Sequence, residues 1–231
     1  MNTTAHPLPG LLVALSLAAG ATDAFAFLAL NGVFTANMTG NLILVALFQR
    51  AHFATTLAGA GWAIAVFGLA LYVGFRASRG QTGVRSGFGP LIGAAVFQAL
   101  TAALWLGSRQ TPPLPIVLVL IGLSCIAMAL QTVAAKRMGA DRSISTTFAT
   151  GTMTGLVQDI ADGVPGERAL RLSIVLALPT GALIGAGLMQ VSPALTPVVP
   201  TLVLIACVLW TARQLRLASS ASISSRSGAE G

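Results

Sequence analysis

The chain has 231 residues, of which 55% are hydrophobic and only 8% charged, with a formal net charge of +7 and a mean hydropathy of +0.84. Soluble domains carry about 25% charged residues, and so few charges cannot cover a water-facing surface, so lipid has to be the solvent for much of the molecule. The Arg and Lys excess lies in short loops between apolar runs, a membrane pattern rather than the footprint of a nucleic-acid binder.

Met1 to Gly10 contain no Lys or Arg, so Ala24-Phe25-Ala26 lacks the basic flank of a cleaved signal and the first apolar run is expected to stay in the protein. Apolar runs follow at 10–31, 33–49, 56–76, 88–108, 115–135, 144–161, 169–191 and 197–212. Crossing roughly 30 Å of hydrocarbon takes about 20 helical residues, and six runs meet that length. The runs at 33–49 and 144–161 are short and rich in Thr, Gly and Asn, and the second also carries Gln158 and Asp159. Cys125 and Cys207 lie inside apolar runs and read as small buried hydrophobes rather than a disulfide. One transmembrane domain is expected over 1–215, and the Ser-rich stretch 216–231 reads as a disordered cytoplasmic tail.

The cations discriminate between two topologies. If all eight runs cross, the two sides hold seven and six, which gives no orientation. If the two Thr/Gly-rich runs return to the side they left, one side holds Arg76, Arg79, Arg85, Lys136, Arg137, Arg142, Arg168, Arg171, Arg213, Arg216 and Arg226, and the other only Arg50 and Arg109. The second arrangement is what the positive-inside rule expects. It predicts an all-α integral membrane protein with about six transmembrane helices, two re-entrant or broken helices, and both termini cytoplasmic.

The two odd runs also match each other. Thr35-Ala36-Asn37-Met38-Thr39-Gly40 aligns with Thr150-Gly151-Thr152-Met153-Thr154-Gly155 at an offset of 115, with four of six positions identical. Upstream, at an offset of 108, Asp23 falls over Gln131. Three crossings per half make repeats at about 10–108 and 115–212 antiparallel, the inverted-repeat plan of many secondary transporters, whose broken helices meet near the bilayer midplane.

Within this frame Asp23 is the conspicuous residue, an acid in the middle of the first span. An intramembrane carboxyl costs about 2.5–3.5 kcal/mol on insertion scales and should face the interior with a partner, or be protonated. A proton or sodium site is one reading, and a structural hydrogen bond to the 35–41 segment is the other. On a helix Thr35 and Thr39 would share a face, as would Thr146, Thr150 and Thr154 beside Gly151 and Gly155, where small residues permit close helix approach. Asn37 and Asn41 fit packing less well, since two buried carboxamides need polar partners such as a solute. Asp159 and Asp162 read as acids near a membrane edge. His6 and His52 are too few for a metal site, and no phosphate loop, metalloprotease motif or nucleophile elbow occurs.

Gly20-Ala21-Thr22-Asp23-Ala24, Ala36-Asn37-Met38-Thr39-Gly40-Asn41, Ala129-Leu130-Gln131 and Thr146-Thr147-Phe148-Ala149-Thr150-Gly151-Thr152 together resemble the YoaK family of bacterial membrane proteins over about residues 10–215. The resemblance implies an inner-membrane protein with about six spans and implies no substrate. Asp23, Thr35, Asn37, Thr39, Asn41, Gln131, Thr150, Thr152 and Thr154 are the candidate substrate- or ion-binding residues. The function expected is a small-solute secondary transporter, with proton or sodium coupling through Asp23. A non-transporting scaffold or accessory subunit is the alternative, and a membrane-embedded enzyme using Asp23 and Asp159 is a weaker one. No cofactor, metal or nucleic acid is expected. The partners are the lipid bilayer and an unidentified solute or ion, and further copies of the chain are compatible with this reading.

Overall fold

Runs of Leu, Ala, Val and Ile can cross hydrocarbon only with their peptide groups bonded internally, so they fold as helices. The computed structural model describes residues 9–138, 149–163 and 168–227. Its helices are α1 (Pro9–Ala29), α2 (Met38–Leu44), α3 (Phe53–Ala77), α4 (Val84–Gly107), α5 (Leu114–Arg137), α6 (Ala149–Ala161), α7 (Arg168–Val191) and α8 (Val198–Ser227), with a 3-10 turn at Pro193–Leu195. Six of them (α1, α3, α4, α5, α7 and α8) are long and apolar enough to cross a membrane, in line with the expected number. At 1.5 Å per residue, α2 spans about 10 Å and α6 about 20 Å, short of the hydrocarbon thickness.

α1 and α5 form the centre: 67% of the most apolar stretch of each is buried, against 22–39% in the other four. α7 packs on α1, α3 and α4 pack on α5, and α8 lies between α1 and α4. The outer helices turn Leu69, Tyr72, Val73, Leu183, Leu202 and Leu209 outward, an apolar exterior that suits lipid and would be untenable in water.

Specific contacts give the helix directions. α1 and α7 run parallel, since Leu17 meets Gly181, Gly20 meets Leu178 and Ala182, and Ala21 meets Gly185. α3 and α5 are also parallel, with Trp62 Nε1 donating to the Leu118 carbonyl (2.9 Å) and Gly74 against Val133. α1 and α5 are opposed: Gln131 Nε2 donates to the Leu15 carbonyl (3.0 Å), whereas Ser124, earlier on α5, reaches Thr35 beyond the end of α1. α4 and α8 are opposed as well, through Trp105 with Pro193, Thr201 with the Gln98 carbonyl, and Arg85 with Ser219. At the end of α3, Arg137 donates to the Phe75 carbonyl (2.9 Å) and to Ser78 Oγ (2.9 Å), a cation placed where the helix dipole favours one.

The run 33–49, expected as a re-entrant or broken segment, holds one short helix, Met38–Leu44, preceded by non-helical backbone with a bend at residues 35–36. The stretch after 215 is not a disordered tail as far as the structure describes it, because α8 continues to Ser227. Between 216 and 227 there is no Gly or Pro, so a helix already nucleated in the membrane propagates through its Ala and Ser residues. Of the run 144–161, α6 covers Ala149–Ala161, and 144–148 lie outside the described residues.

The α1–α7 contact is close enough that backbones touch. A Cβ at Gly20 would run into the Leu178 carbonyl, and one at Gly181 into the Leu17 carbonyl. Gly187, further along α7, faces open space. Gly181→Val is therefore expected to lower thermal stability in detergent by at least about 1–3 kcal/mol, whereas Gly187→Ala should be neutral or slightly stabilising. Equal melting temperatures for the two variants would contradict the packing described.

Candidate functional site

Asp23 sits six residues before the end of α1, about 9 Å back along the helix axis. The chain leaves α1, turns through Asn31 and Gly32, both at positive φ, and returns to the level of Asp23 at residues 35–37. There the carboxylate gathers the backbone. Its Oδ1 accepts from the N–H groups of Thr35 and Ala36 (both 2.7 Å), and its Oδ2 from that of Asn37 (3.0 Å). The Thr35 hydroxyl lies 3.5 Å from Oδ1 and accepts from Ser124 Oγ (3.2 Å). Both oxygens act as acceptors, the pattern of an ionised carboxylate.

The following residues complete the fold of this turn. Asn37 caps α2, its Oδ1 accepting from the Gly40 N–H (3.2 Å). Asn41, fully buried, exchanges two bonds with Phe34: the Phe34 N–H donates to Oδ1 (2.9 Å), and Nδ2 donates to the Phe34 carbonyl (2.7 Å). Gly40 leaves room for the Phe34 ring, which a Cβ there would meet at 2.8 Å. Unbonded peptide groups in this environment would cost several kcal/mol each, and Asp23, Asn37 and Asn41 pair them. Asn41 thus needs no solute, since the Phe34 backbone and Met38 Sδ take it up, whereas only the oxygen of Asn37 is engaged in this way. Thr35 and Thr39 do not share a helix face either, because Thr35 precedes the helix.

A cavity of about 990 Å³ opens beside this turn. Asp23, Asn37, Thr39, Gly40, Thr150 and Gly151 line it together with Gly20, Ala24, Phe27, Phe34, Ile43, Pro179, Leu183 and other apolar residues of α1 and α7. The structure therefore brings Asp23, Asn37, Thr39 and Thr150 to one space. It places the other candidates elsewhere. Thr35 is buried behind the carboxylate, Asn41 under Phe34, and Gln131 on α5 against Leu15. Thr152 is buried, and Thr154 donates to the Thr150 carbonyl of its own helix (2.9 Å). Thr146 lies outside the described residues.

In the second Thr/Gly segment, the space beside Gly155 is filled by the Arg171 guanidinium, whose Nε forms an ion pair with Asp159 (3.0 Å). This pair, with the bond from Arg168 to the Asp159 carbonyl, fastens α6 to α7. Asp159 does not line the cavity with Asp23. Sequence reasoning missed the α7 wall, where Pro179 within an apolar span was the available signal. It also missed Gln98, a fully buried carboxamide of α4 whose two ends have no hydrogen-bond partner. Among the described residues no group of three His, Cys, Asp or Glu could hold a metal ion, and Cys125 and Cys207 are free and buried.

Asn41→Ala removes both bonds to the Phe34 backbone and leaves its N–H and carbonyl unpaired, an expected loss of about 2–4 kcal/mol. Asn37→Ala, which loses one cap bond, should cost about 1 kcal/mol. Thermal unfolding in detergent ranks the two, and hydrogen exchange should show residues 34–44 opening first in Asn41→Ala.

A family model described as "Protein of unknown function (DUF1275)" matches residues 11–210. The UPF0700 transmembrane protein YoaK of Bacillus subtilis (strain 168) is 34% identical over 156 residues, which cover 65% of this chain and 66% of that protein, just under two thirds of its length. No solved structure matches the chain. The matched region runs from the start of α1 into α8 and takes in all six long apolar helices and both Met-Thr-Gly segments, so the chain belongs to the DUF1275 family, as a multi-pass membrane protein of the YoaK type.

Proposed function

We propose that this protein is a small-solute secondary transporter of the bacterial cytoplasmic membrane, with its substrate site in the cavity between the two Met-Thr-Gly segments. One observation carries the reading: Asn37, Thr39 and Gly40 from the first segment and Thr150 and Gly151 from the second line a single cavity that also reaches Asp23. Convergence of two such elements on one cavity is the plan of transporters built from inverted repeats.

The inverted repeat is part of the proposal. The element order long, short, long, long occurs in α1–α4 and again in α5–α8. Exchanging the halves turns α1–α7 packing into α5–α3 packing and α4–α5 into α8–α1, and both members of each pair occur. The opposed directions of α1 and α5, with α3 and α4 crossing between them, are those of an α2 segment that returns to the side it left. The distribution of cations supports a cytoplasmic position for both termini.

Asp23 is the coupling group in this reading, and protons fit better than sodium. Both carboxylate oxygens already accept backbone N–H donors, with which a metal cation would compete. A proton added to either oxygen removes acceptor capacity and loosens the turn that carries Asn37 and Thr39 into the cavity. A scaffold role is favoured by a different observation, namely that Asp23 and Asn41 are wholly engaged in local structure.

Two experiments test this. In proteoliposomes a proton gradient should drive uptake of a solute that also raises the melting temperature, and Asp23→Asn should lose the gradient dependence together with about 2–3 kcal/mol of stability, the size of a charged hydrogen-bond network. Absence of stabilisation and of flux across broad solute classes would leave the scaffold reading. For topology, cysteines at Arg50 and Asp162 should label from opposite faces, and labelling from one face would refute the six-span arrangement.

A further inference from the structure

We infer that the cavity takes an uncharged amphipathic molecule that enters sideways from the bilayer, its apolar body on α1, α2 and α7 and a hydrogen-bonding head at Asn37, Thr39 and Thr150. This rests on the reading of the cavity as a substrate site and names the class of substrate.

The route follows from exposure. Leu28, Ile43 and Leu183 line the cavity and are 52%, 59% and 74% exposed, so the cavity is open at these side chains rather than sealed behind them. The cavity wall therefore continues onto the face that meets lipid, and a molecule dissolved in the bilayer reaches the cavity without crossing water. Among the described residues its lining is Phe, Leu, Ile, Ala, Pro and Gly apart from Asp23, Asn37, Thr39 and Thr150. A hydrophilic solute would leave most of its hydroxyl or amino groups unpaired against such walls.

The polar wall selects the head group. Among the described residues the Thr39 and Thr150 hydroxyls and Asn37 Nδ2 make no hydrogen bond, whereas Asn37 Oδ1 is taken by Gly40. Two hydroxyls, each donor and acceptor, and one amide donor match a hydroxyl, ester or amide. Neither sign of charge is favoured. An anion would face Asp23, the one charged lining residue among the described residues. A cation would find both Asp23 oxygens already accepting backbone N–H groups, and the Phe27 ring stacked on Phe34 (4.9 Å between centroids) and already carrying the Arg50 guanidinium, 5.9 Å from its centroid.

The test uses the full chain in lipid nanodiscs and three ten-carbon probes bearing a diazirine on the alkyl chain: an alcohol, a trimethylammonium and a carboxylate. The alcohol should photolabel peptides containing Ile43 and Leu183 in preference to the outward faces of α3 and α8, and unlabelled decanol should compete. Thr39→Val and Thr150→Val, which keep volume and remove a hydroxyl, should each weaken competition about fivefold, the worth of one hydrogen bond. Thr180→Val should not, because that hydroxyl bonds the Leu176 carbonyl of its own helix. Even labelling of all outward faces, preference for either charged probe, or indifference to both cavity threonines would overturn the inference. If a hexose or an amino acid is transported and the alcohol does not bind, transport stands and this substrate class falls. If the alcohol binds as described and no solute is moved, the class stands and transport falls.

Discussion

The hold of the Asp23 carboxylate on the peptide N–H groups of residues 35–37 is the interaction on which the rest of the candidate site depends. An acid within a transmembrane helix and a stretch of unwound backbone beside it are each costly in a low-dielectric setting. Together they offset each other, since the carboxylate supplies the acceptors that three donors lack, and the donors supply solvation that the charge has lost. Everything downstream is placed by that exchange: Asn37 is set to cap α2, Asn41 is brought under Phe34, and Thr39 is turned into the cavity. The Asn-Met-Thr-Gly-Asn element is thus mainly a device for building an irregular turn inside a helical bundle, with Thr39 as its outward product.

The counterpart of this turn on the bundle side is the glycine contact between α1 and α7. Gly20 stands one turn before Asp23 and lines the same cavity, so the place where the two helices touch backbone to backbone is also the floor of the candidate site. Pro179 lies in the facing stretch of α7 and removes one helical N–H there. Close packing and local loosening of the ladder therefore meet at the level of Asp23, which in the proposed transporter is where a moving part would need a fulcrum.

Much of this was legible in the amino-acid chain. Low charge set the solvent, and the six long apolar runs coincide with α1, α3, α4, α5, α7 and α8 to within a few residues, except where α8 runs on. Asp23 and the Met-Thr-Gly segments stood out because polar residues are rare in such a background. What could not be read was which polar group faces which. Helical spacing put Thr35 and Thr39 on one face, but a carboxylate twelve residues earlier unwinds Thr35 from the helix, and no local propensity reports a bond over that separation. The same holds for Asn41, whose partner is the backbone of Phe34, and for Arg171, whose side chain occupies the space left by Gly155. A sequence pattern reveals that a small residue is wanted, not whether a helix, a ring or a guanidinium fills the room.

The repeated motif is also used unequally, which bears on mechanism. In the first copy positions 35–37 are unwound and Thr39 and Gly40 reach the cavity. In the second the aligned positions 150–152 are helical, and it is Thr150 and Gly151 that line the cavity, while Thr154 bonds its own helix and Gly155 accommodates Arg171. The residue aligned with Asp23 is Gln131, which spends its amide on the Leu15 carbonyl. A carboxamide has one oxygen and carries no charge, so it cannot gather three backbone N–H groups as a carboxylate does. The segment it would have to unwind stays wound where it is described, and among the described residues a carboxylate-held turn occurs at the first motif alone. A conformational cycle driven by that element would therefore be asymmetric: the first half would loosen and re-form its turn while the second, pinned by the Arg171–Asp159 pair, served as the fixed wall against which it moves.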